Sequence, residues 1–210
     1  MHEFYYLAAR GYVVFFCNPR GGQGYGERHS SAIANDWGSV DYADLMTFAD
    51  LMADQPFIDP DRLGVAGGSY GGYMSAWIIG HTDRFKAAAA QRVVSNLISM
   101  WGSSDFNWNF QQAFGDKPPW DNLENLWRQS PMAHIGRATT PTLIVHSEND
   151  LRCDLEQGLQ LYVALKTLGV PTELLLFPEE SHGLSRGGRT DRRIVRLQQI
   201  AEWFDRYLKE

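Results

Sequence analysis

The sequence has few cysteines, no long hydrophobic run and no excess of basic residues. Cys17 and Cys153 are too few for a disulfide framework and lack the spacing of metal ligands, which is typical of a reducing compartment. Nineteen Lys and Arg against 25 Asp and Glu give a net charge of −6, which disfavours nucleic acid and anionic membranes as partners. The most apolar run, residues 12–17, is too short to span a bilayer, and the first residues lack the basic start of a signal peptide. We therefore expect a cytoplasmic protein.

Hydrophobic residues make up 44% of the chain, enough for one sizeable core. No repeat or linker-like stretch divides the sequence, so we expect a single domain over residues 1–210. Apolar runs typical of buried parallel strands recur at residues 12–17, 63–66, 87–90, 142–146 and 173–177. Segments with helical periodicity lie between and after them, at residues 40–52, 73–80, 154–168 and 191–208. The alternation predicts an α/β fold: a mostly parallel sheet with helices on both faces and functional groups at the carboxyl ends of its strands.

One serine lies between a predicted strand and a predicted helix, within Gly67-Gly-Ser69-Tyr-Gly71. In this context Gly-x-Ser-x-Gly is typical of a nucleophile elbow, a sharp turn that holds the serine in a strained backbone conformation. The glycines on either side leave room for the strand and the helix to approach closely. We therefore predict that Ser69 is a nucleophile; the alternative is a glycine-rich turn without chemistry.

A serine hydroxyl is a poor nucleophile unless a base takes its proton, and a histidine base needs an acidic partner to fix its tautomer. In this architecture the chain order is serine, acid, histidine. Asp150 follows the predicted strand at residues 142–146, and His182 follows the one at residues 173–177. Both would therefore lie in loops at the carboxyl ends of strands, and we predict Asp150 as the acid and His182 as the base.

Other residues compete for these two roles. His146 ends a predicted strand near the same face, but it precedes the acid loop, which favours a hydrogen-bonding role at the strand end. Glu148 is an alternative acid. Asp154 looks more like the N-cap of a helix, with Gln157 completing a capping-box-like pair. The histidines with no favourable position for catalysis are His2, His29, His81 and His134.

Five segments share a known pattern over nearly the whole chain: Asn18-Pro-Arg-Gly-Gly-Gln-Gly-Tyr-Gly26, Gly67-Gly-Ser-Tyr-Gly-Gly-Tyr73, Ser130-Pro131, Glu148-Asn-Asp150 and Ser181-His-Gly183. In this order they resemble the prolyl oligopeptidase family of serine peptidases, most closely its acylaminoacyl peptidase branch. The resemblance implies an α/β-hydrolase fold with Ser69, Asp150 and His182 as catalytic triad. It also implies cleavage of short peptides, with release of one acylated or free residue or a dipeptide from the amino end. No cofactor and no metal are implied.

Acyl transfer needs two donors for the oxyanion, and one is the backbone N–H of Tyr70, the residue after the nucleophile. The resemblance places the second in a His-Gly-Gly-Pro loop upstream of residues 12–17, and this sequence does not contain it. In the family's strand order, the strand before that loop lies between the strands predicted at residues 12–17 and 63–66. We therefore expect the chain to be the carboxyl-terminal part of a longer peptidase, completed by amino-terminal strands and a β-propeller in cis or in trans.

Aromatic residues crowd the stretch from Trp101 to Trp127. Trp101 and Phe106 are candidates for an apolar wall of the substrate pocket; packing within a loop-rich insertion and docking of the propeller are the alternatives. The resemblance adds Val94 and Cys153 as apolar pocket-lining positions, with Cys153 in place of the more usual valine. Two functions compete with the peptidase: a carboxylesterase of small acyl esters, which would share the triad, and an inactive fragment that needs a complementing segment. The oligomeric state, a homo-oligomer included, stays open.

Overall fold

The computed structural model describes residues 2–209, apart from the side chains of residues 110–112. The chain forms two compact units, one up to Asp61 and one from Arg62 onward. Among the described residues, none of the helices combines the length and the apolar character that a membrane span requires.

The described residues of the first unit form the helices α1 (His2–Ala9), α2 (Glu27–Ser30) and α3 (Val40–Ala53). The predicted helix at residues 40–52 is confirmed by α3. The predicted strand at residues 12–17 is wrong, because the described residues give this segment no hydrogen-bonded ladder. Instead its phenylalanines pack on helices, with Phe16 stacked on Phe4 at 4.8 Å and Phe15 edge-on to Phe48 at 5.7 Å between ring centroids. A strand forms only when a neighbouring strand supplies hydrogen bonds, and the apolar sequence of residues 12–17 gives no information about such a partner.

The second unit is built on a parallel sheet in the order β1-β2-β3-β4, with β1 (Gly64–Ser69), β2 (Ala87–Val93), β3 (Thr142–Ser147) and β4 (Thr172–Phe177). These strands confirm the other four predicted runs. The alanine run of β2 is fully buried from residue 87 to residue 90, as small side chains in a covered parallel sheet should be.

Helices follow each strand. They are α4 (Tyr70–Ile79), α5 (Leu97–Ser103), α6 (Asn107–Ala113), α7 (Pro119–Arg128), α8 (Leu155–Thr167), α9 (Leu184–Gly187) and α10 (Thr190–Leu208), with two 3₁₀ turns at Pro131–Ala133 and Ile135–Arg137. The crowded aromatic stretch, for which a loop-rich insertion was one of the alternatives, thus carries three short helices in its described part. The predicted helices at residues 73–80, 154–168 and 191–208 correspond to α4, α8 and α10. The prediction placed the start of α4 three residues too late, because the first turn of this helix contains two glycines, which have low helix propensity.

Neighbouring residues of β1 show how the sheet is covered. Val65 packs against a buried cluster that includes Ala76 of α4 and Leu161 of α8. A Cβ placed on Gly64 would come within 2.9 Å of both Phe204 and Leu208 of α10. Because side chains alternate along a strand, α4 and α8 cover one face of the sheet and α10 covers the other. This confirms the predicted α/β architecture.

Candidate active site

The turn that follows β1 has the conformation predicted for a nucleophile elbow. Ser69 ends β1 with φ 62° and ψ −118°, and α4 begins at the next residue. A non-glycine residue rarely adopts a positive φ, because its Cβ then crowds the backbone. The strained turn directs the chain sharply from strand to helix and places the serine at the carboxyl end of β1.

Two glycines allow this sharp turn by keeping backbones close. A Cβ on Gly67 would lie 2.3 Å from the carbonyl oxygen of Gly71, and one on Gly72 would lie 2.4 Å from the carbonyl oxygen of Gln91. These positions explain the close approach of α4 to β1 and β2. Gly71 differs, since a Cβ there would meet nothing within 4 Å, so the steric role predicted for the motif's second glycine is wrong. Its place is taken by Gly72.

The three predicted triad residues form one chain of hydrogen bonds. The His182 Nδ1 atom lies 2.8 Å from Asp150 Oδ2 and 3.0 Å from Oδ1, and its Nε2 atom lies 3.0 Å from Ser69 Oγ. An ionised carboxylate can only accept, so Nδ1–H donates to it and Nε2 is left to accept the serine proton. The structure therefore brings together side chains that are up to 113 residues apart in sequence.

Asp150 is held in place by its own loop. The residue is buried, and its Oδ1 atom accepts the backbone N–H of Arg152 at 3.0 Å and that of Cys153 at 2.9 Å. These two donors orient the carboxylate and stabilise its charge, so that Oδ2 faces His182. The loop thus supplies a fixed acceptor for the imidazole.

His146 and Glu148 do not replace the predicted base and acid. His146 is buried at the end of β3, and its Nε2–H donates to the Cys153 carbonyl at 2.8 Å. Burial is the main cause that lowers the pKa of His146, which favours the neutral ring in its hydrogen-bonding role. Glu148 is exposed, and the structure shows its backbone N–H donating to the carbonyl of Phe177.

The start of α8 confirms one predicted cap and corrects another. Asp154 accepts the backbone N–H of Glu156 at 3.0 Å, as expected of an N-cap. Gln157 does not complete a capping box. Its buried Oε1 atom accepts the backbone N–H groups of Ser95 and Asn96, both at 2.8 Å. The side chain is drawn to that loop because the buried N–H groups there need an acceptor.

Of the predicted pocket residues, Cys153 lies next to the nucleophile. Burial followed by the Asp150 charge raises the pKa of Cys153 to about 12, against a smaller opposing effect of the Ser69 side chain. The thiol is therefore protonated at neutral pH. Val94 is buried in the loop directly after β2. The structure places both residues in loops at the carboxyl end of the sheet, and their contact with substrate stays a prediction.

The aromatic candidates lie in the helical segment that precedes β3. Trp101 on α5 meets Trp120 edge-on, with 5.5 Å between ring centroids. The Phe106 ring lies 4.3 Å from the guanidinium carbon of Arg152, which joins it to the acid loop. Tyr70 begins α4 as its predicted oxyanion role requires. The substrate contacts of Trp101 and Phe106, and the oxyanion role of Tyr70, stay predictions.

Sequence reasoning missed one residue at this site. Arg92 near the end of β2 has φ 38°, and its guanidinium lies against Gly68, the residue before the nucleophile. The contact depends on an irregular pairing of β1 with β2, which the amino-acid sequence around Arg92 does not indicate.

The parallel sheet, the strained serine turn and the hydrogen-bonded chain define an α/β hydrolase. The model of the Prolyl oligopeptidase family matches residues 1–210, and the chain belongs to this family. It is 48% identical over 208 residues to the uncharacterized peptidase YuxL of Bacillus subtilis, an alignment that covers 99% of this chain and 32% of that protein.

Two acylaminoacyl-type enzymes are also similar to this chain. Identity to the acylamino-acid-releasing enzyme of Arabidopsis thaliana is 37% over 212 residues, covering 97% of this chain and 27% of that protein. The Pyrococcus horikoshii acylaminoacyl peptidase superposes with a TM-score of 0.96 at 32% identity, covering 100% of this chain and 34% of that one. The chain thus spans about a third of the length of these relatives, or less.

Proposed function

We propose that the protein is a serine peptidase that hydrolyses short peptides through an acyl-enzyme on Ser69, with acylaminoacyl peptides as its preferred substrates. The observation that carries the proposal is the hydrogen-bonded chain from Asp150 through His182 to Ser69, set at a strained turn. A nucleophile, a base and an orienting acid in hydrogen-bond contact are the arrangement that activates a serine.

The acylation step follows from the direction of these hydrogen bonds. Ser69 Oγ attacks the scissile carbonyl carbon while its proton passes to His182 Nε2, and Asp150 stabilises the imidazolium that forms. The C–N bond then breaks, and the amine leaves with the proton from Nε2. Water repeats the sequence: it gives a proton to Nε2 and attacks the ester, the C–O bond to Ser69 breaks, and the proton returns to Oγ.

The oxyanion formed in each step needs donors. In our proposal the backbone N–H of Tyr70, at the start of α4, is one of them. The second comes from a further segment of a longer peptidase, which also carries the propeller that limits substrate size. The chain covers about a third of the length of its relatives, which supports the proposal that another segment supplies the second donor and the propeller. The low cysteine content supports a cytoplasmic location.

The proposed substrate class rests on the relatives and on the site. The names of the Arabidopsis and Pyrococcus enzymes support release of an acylated amino-terminal residue. Buried Val94 and Cys153 are suited to an apolar side chain at the scissile residue, and Trp101 and Phe106 would extend that wall. Release of a dipeptide, and hydrolysis of small esters, are alternatives that use the same serine chemistry.

Labelling with a fluorophosphonate probe tests the nucleophile. We expect covalent labelling of the wild-type protein and none of Ser69→Ala or His182→Ala. Ser103→Ala is the matched control: this exposed serine on α5 donates a hydrogen bond to the Ser99 carbonyl of its own helix, so its loss should leave labelling unchanged. Labelling that persists in Ser69→Ala would contradict the proposal.

Turnover of three substrates tests the specificity. These are an acetyl-amino-acid anilide, a dipeptide anilide with a free amino end and a short-chain nitrophenyl ester. We expect the highest kcat/KM with the acetylated anilide. A higher value for the dipeptide anilide would reassign the protein to dipeptide release, and turnover of the ester alone would reassign it to esterases.

A further inference from the structure

An irregularity in the sheet lies directly beside the nucleophile. β1 and β2 pair residue by residue up to Gly68 opposite Gln91, and the next pair is Ser69 opposite Val93. Arg92 is therefore the extra residue of a β-bulge, with φ 38°. Bulges near active sites commonly redirect a side chain, and a non-glycine residue at positive φ persists only where its surroundings hold it there.

The redirected side chain of Arg92 covers the residue before the nucleophile. A Cβ built on Gly68 would lie 2.7 Å from the guanidinium carbon of Arg92 and 2.8 Å from Nη2. The guanidinium therefore packs directly on the backbone of Gly68. A side chain at position 68 would therefore have to displace the guanidinium.

The same guanidinium reaches the segment that carries the base. Its Nη1 atom donates to Ser185 Oγ at 3.1 Å, and Ser185 belongs to α9, which begins two residues after His182. Arg92, Ser185 and His182 also share the lining of one small cavity of about 10 Å³. One side chain thus contacts both the strand that presents the hydroxyl and the helix that follows the imidazole.

We propose that Arg92 is a positioning residue that sets the separation of Ser69 and His182 by joining Gly68 to α9. The inference rests on the proposed peptidase function. A guanidinium suits this task because its plane can lie on a glycine backbone while its edge donates a hydrogen bond. A lysine keeps the charge but has no such plane.

Steady-state kinetics of Arg92→Ala, Arg92→Lys and Ser185→Ala test the role. Misplacement of catalytic groups by about 1 Å can cost about 10²-fold, so we expect Arg92→Ala to lower kcat by this order while KM stays unchanged. Arg92→Lys should show a similar loss, because the plane is missing. Ser185→Ala removes one hydrogen bond and should lower kcat about fivefold. Millimolar guanidinium should restore part of the activity of Arg92→Ala and none of that of Arg92→Lys, whose side chain fills the space.

The outcomes separate this inference from the proposed function. If wild-type protein reacts with the fluorophosphonate and Arg92→Ala keeps its kcat within twofold, the positioning role is refuted and the peptidase stands. If wild-type protein neither labels nor turns over substrate, both fall together. If Arg92→Ala fails to fold, as shown by a lost melting transition, Arg92→Lys and Ser185→Ala decide: unchanged kcat in both refutes the role.

Discussion

The substitution Asp150→Asn replaces one oxygen of a buried carboxylate by an NH₂ group. In the native loop Oδ1 accepts two backbone N–H groups, from Arg152 and Cys153, and Oδ2 is the nearer acceptor for His182 Nδ1–H, at 2.8 Å against 3.0 Å for Oδ1. An amide nitrogen cannot accept, so the asparagine must keep its oxygen on the backbone donors and turn its NH₂ towards His182. The local geometry therefore leaves the amide one favourable orientation.

That orientation reverses the imidazole. The new NH₂ donates to His182 Nδ1, which must then be unprotonated, so the ring proton moves to Nε2. There it donates to Ser69 Oγ and can no longer accept the serine proton. In serine triads the wrong tautomer lowers kcat by about 10⁴, which corresponds to about 5 kcal/mol of lost transition-state stabilisation.

The assay compares kcat of wild type and Asp150→Asn on the acetylated anilide at neutral pH, with a thermal melt of each. Because both backbone hydrogen bonds are kept, we expect nearly equal melting temperatures. Asp150→Ala is the contrasting variant: it removes the acceptor of both N–H groups and should lower the melting temperature as well as kcat. A folded Asp150→Asn with kcat within tenfold of wild type would refute the reasoning.

Three further predictions concern stability and reactivity. We expect the thermal transition to be lost in Gly67→Ala and Gly72→Ala, because each new Cβ would lie within 2.4 Å of a backbone oxygen. Gly71→Ala is the control and should fold normally, since its Cβ would meet nothing within 4 Å. A stable Gly67→Ala variant would contradict this prediction. Since burial lowers the pKa of His146, the unfolded chain takes up its proton first, and stability should fall below about pH 6.5 by up to about 1.4 kcal/mol per pH unit. Urea unfolding between about pH 7.5 and 5 measures this, and an equal decline in His146→Gln would refute it. Buried Cys153, with a pKa of about 12, should resist thiol reagents until the protein unfolds; rapid labelling of the native protein at this thiol would count against it.

The strands and the catalytic residues could be predicted from the sequence, because their residue patterns are compatible with few alternative structures. Uninterrupted apolar runs predicted β1 to β4, because strands buried on both faces tolerate few polar residues. The order of serine, acid and histidine identified the three side chains that the structure brings together, since each follows a predicted strand. The number of candidate bases is small, because only a few kinds of side chain can accept a proton from serine.

Features that depend on distant partners could not be predicted. The run at residues 12–17 has the composition of a strand, but strand formation depends on a neighbour that composition does not reveal. The roles of Gln157 and Arg92 arise from backbone groups elsewhere in the sequence, in the loop after β2 for Gln157 and near the end of β1 for Arg92. Gly67 and Gly71 occupy equivalent positions in the Gly-x-Ser-x-Gly motif, but only the structure shows that Gly71 has open space where a side chain would lie.

The hydrogen bond from Ser69 to His182 closes a stretch of 113 residues, with Asp150 supplied from between them. Contacts so distant along the chain form late in folding, after local helices, because closing a long loop costs entropy before any contact repays it. Reactivity of the hydroxyl should therefore return only at the end of refolding, after circular dichroism has recovered. The rate at which a nucleophile probe labels Ser69 during refolding would therefore report when the native tertiary structure is complete.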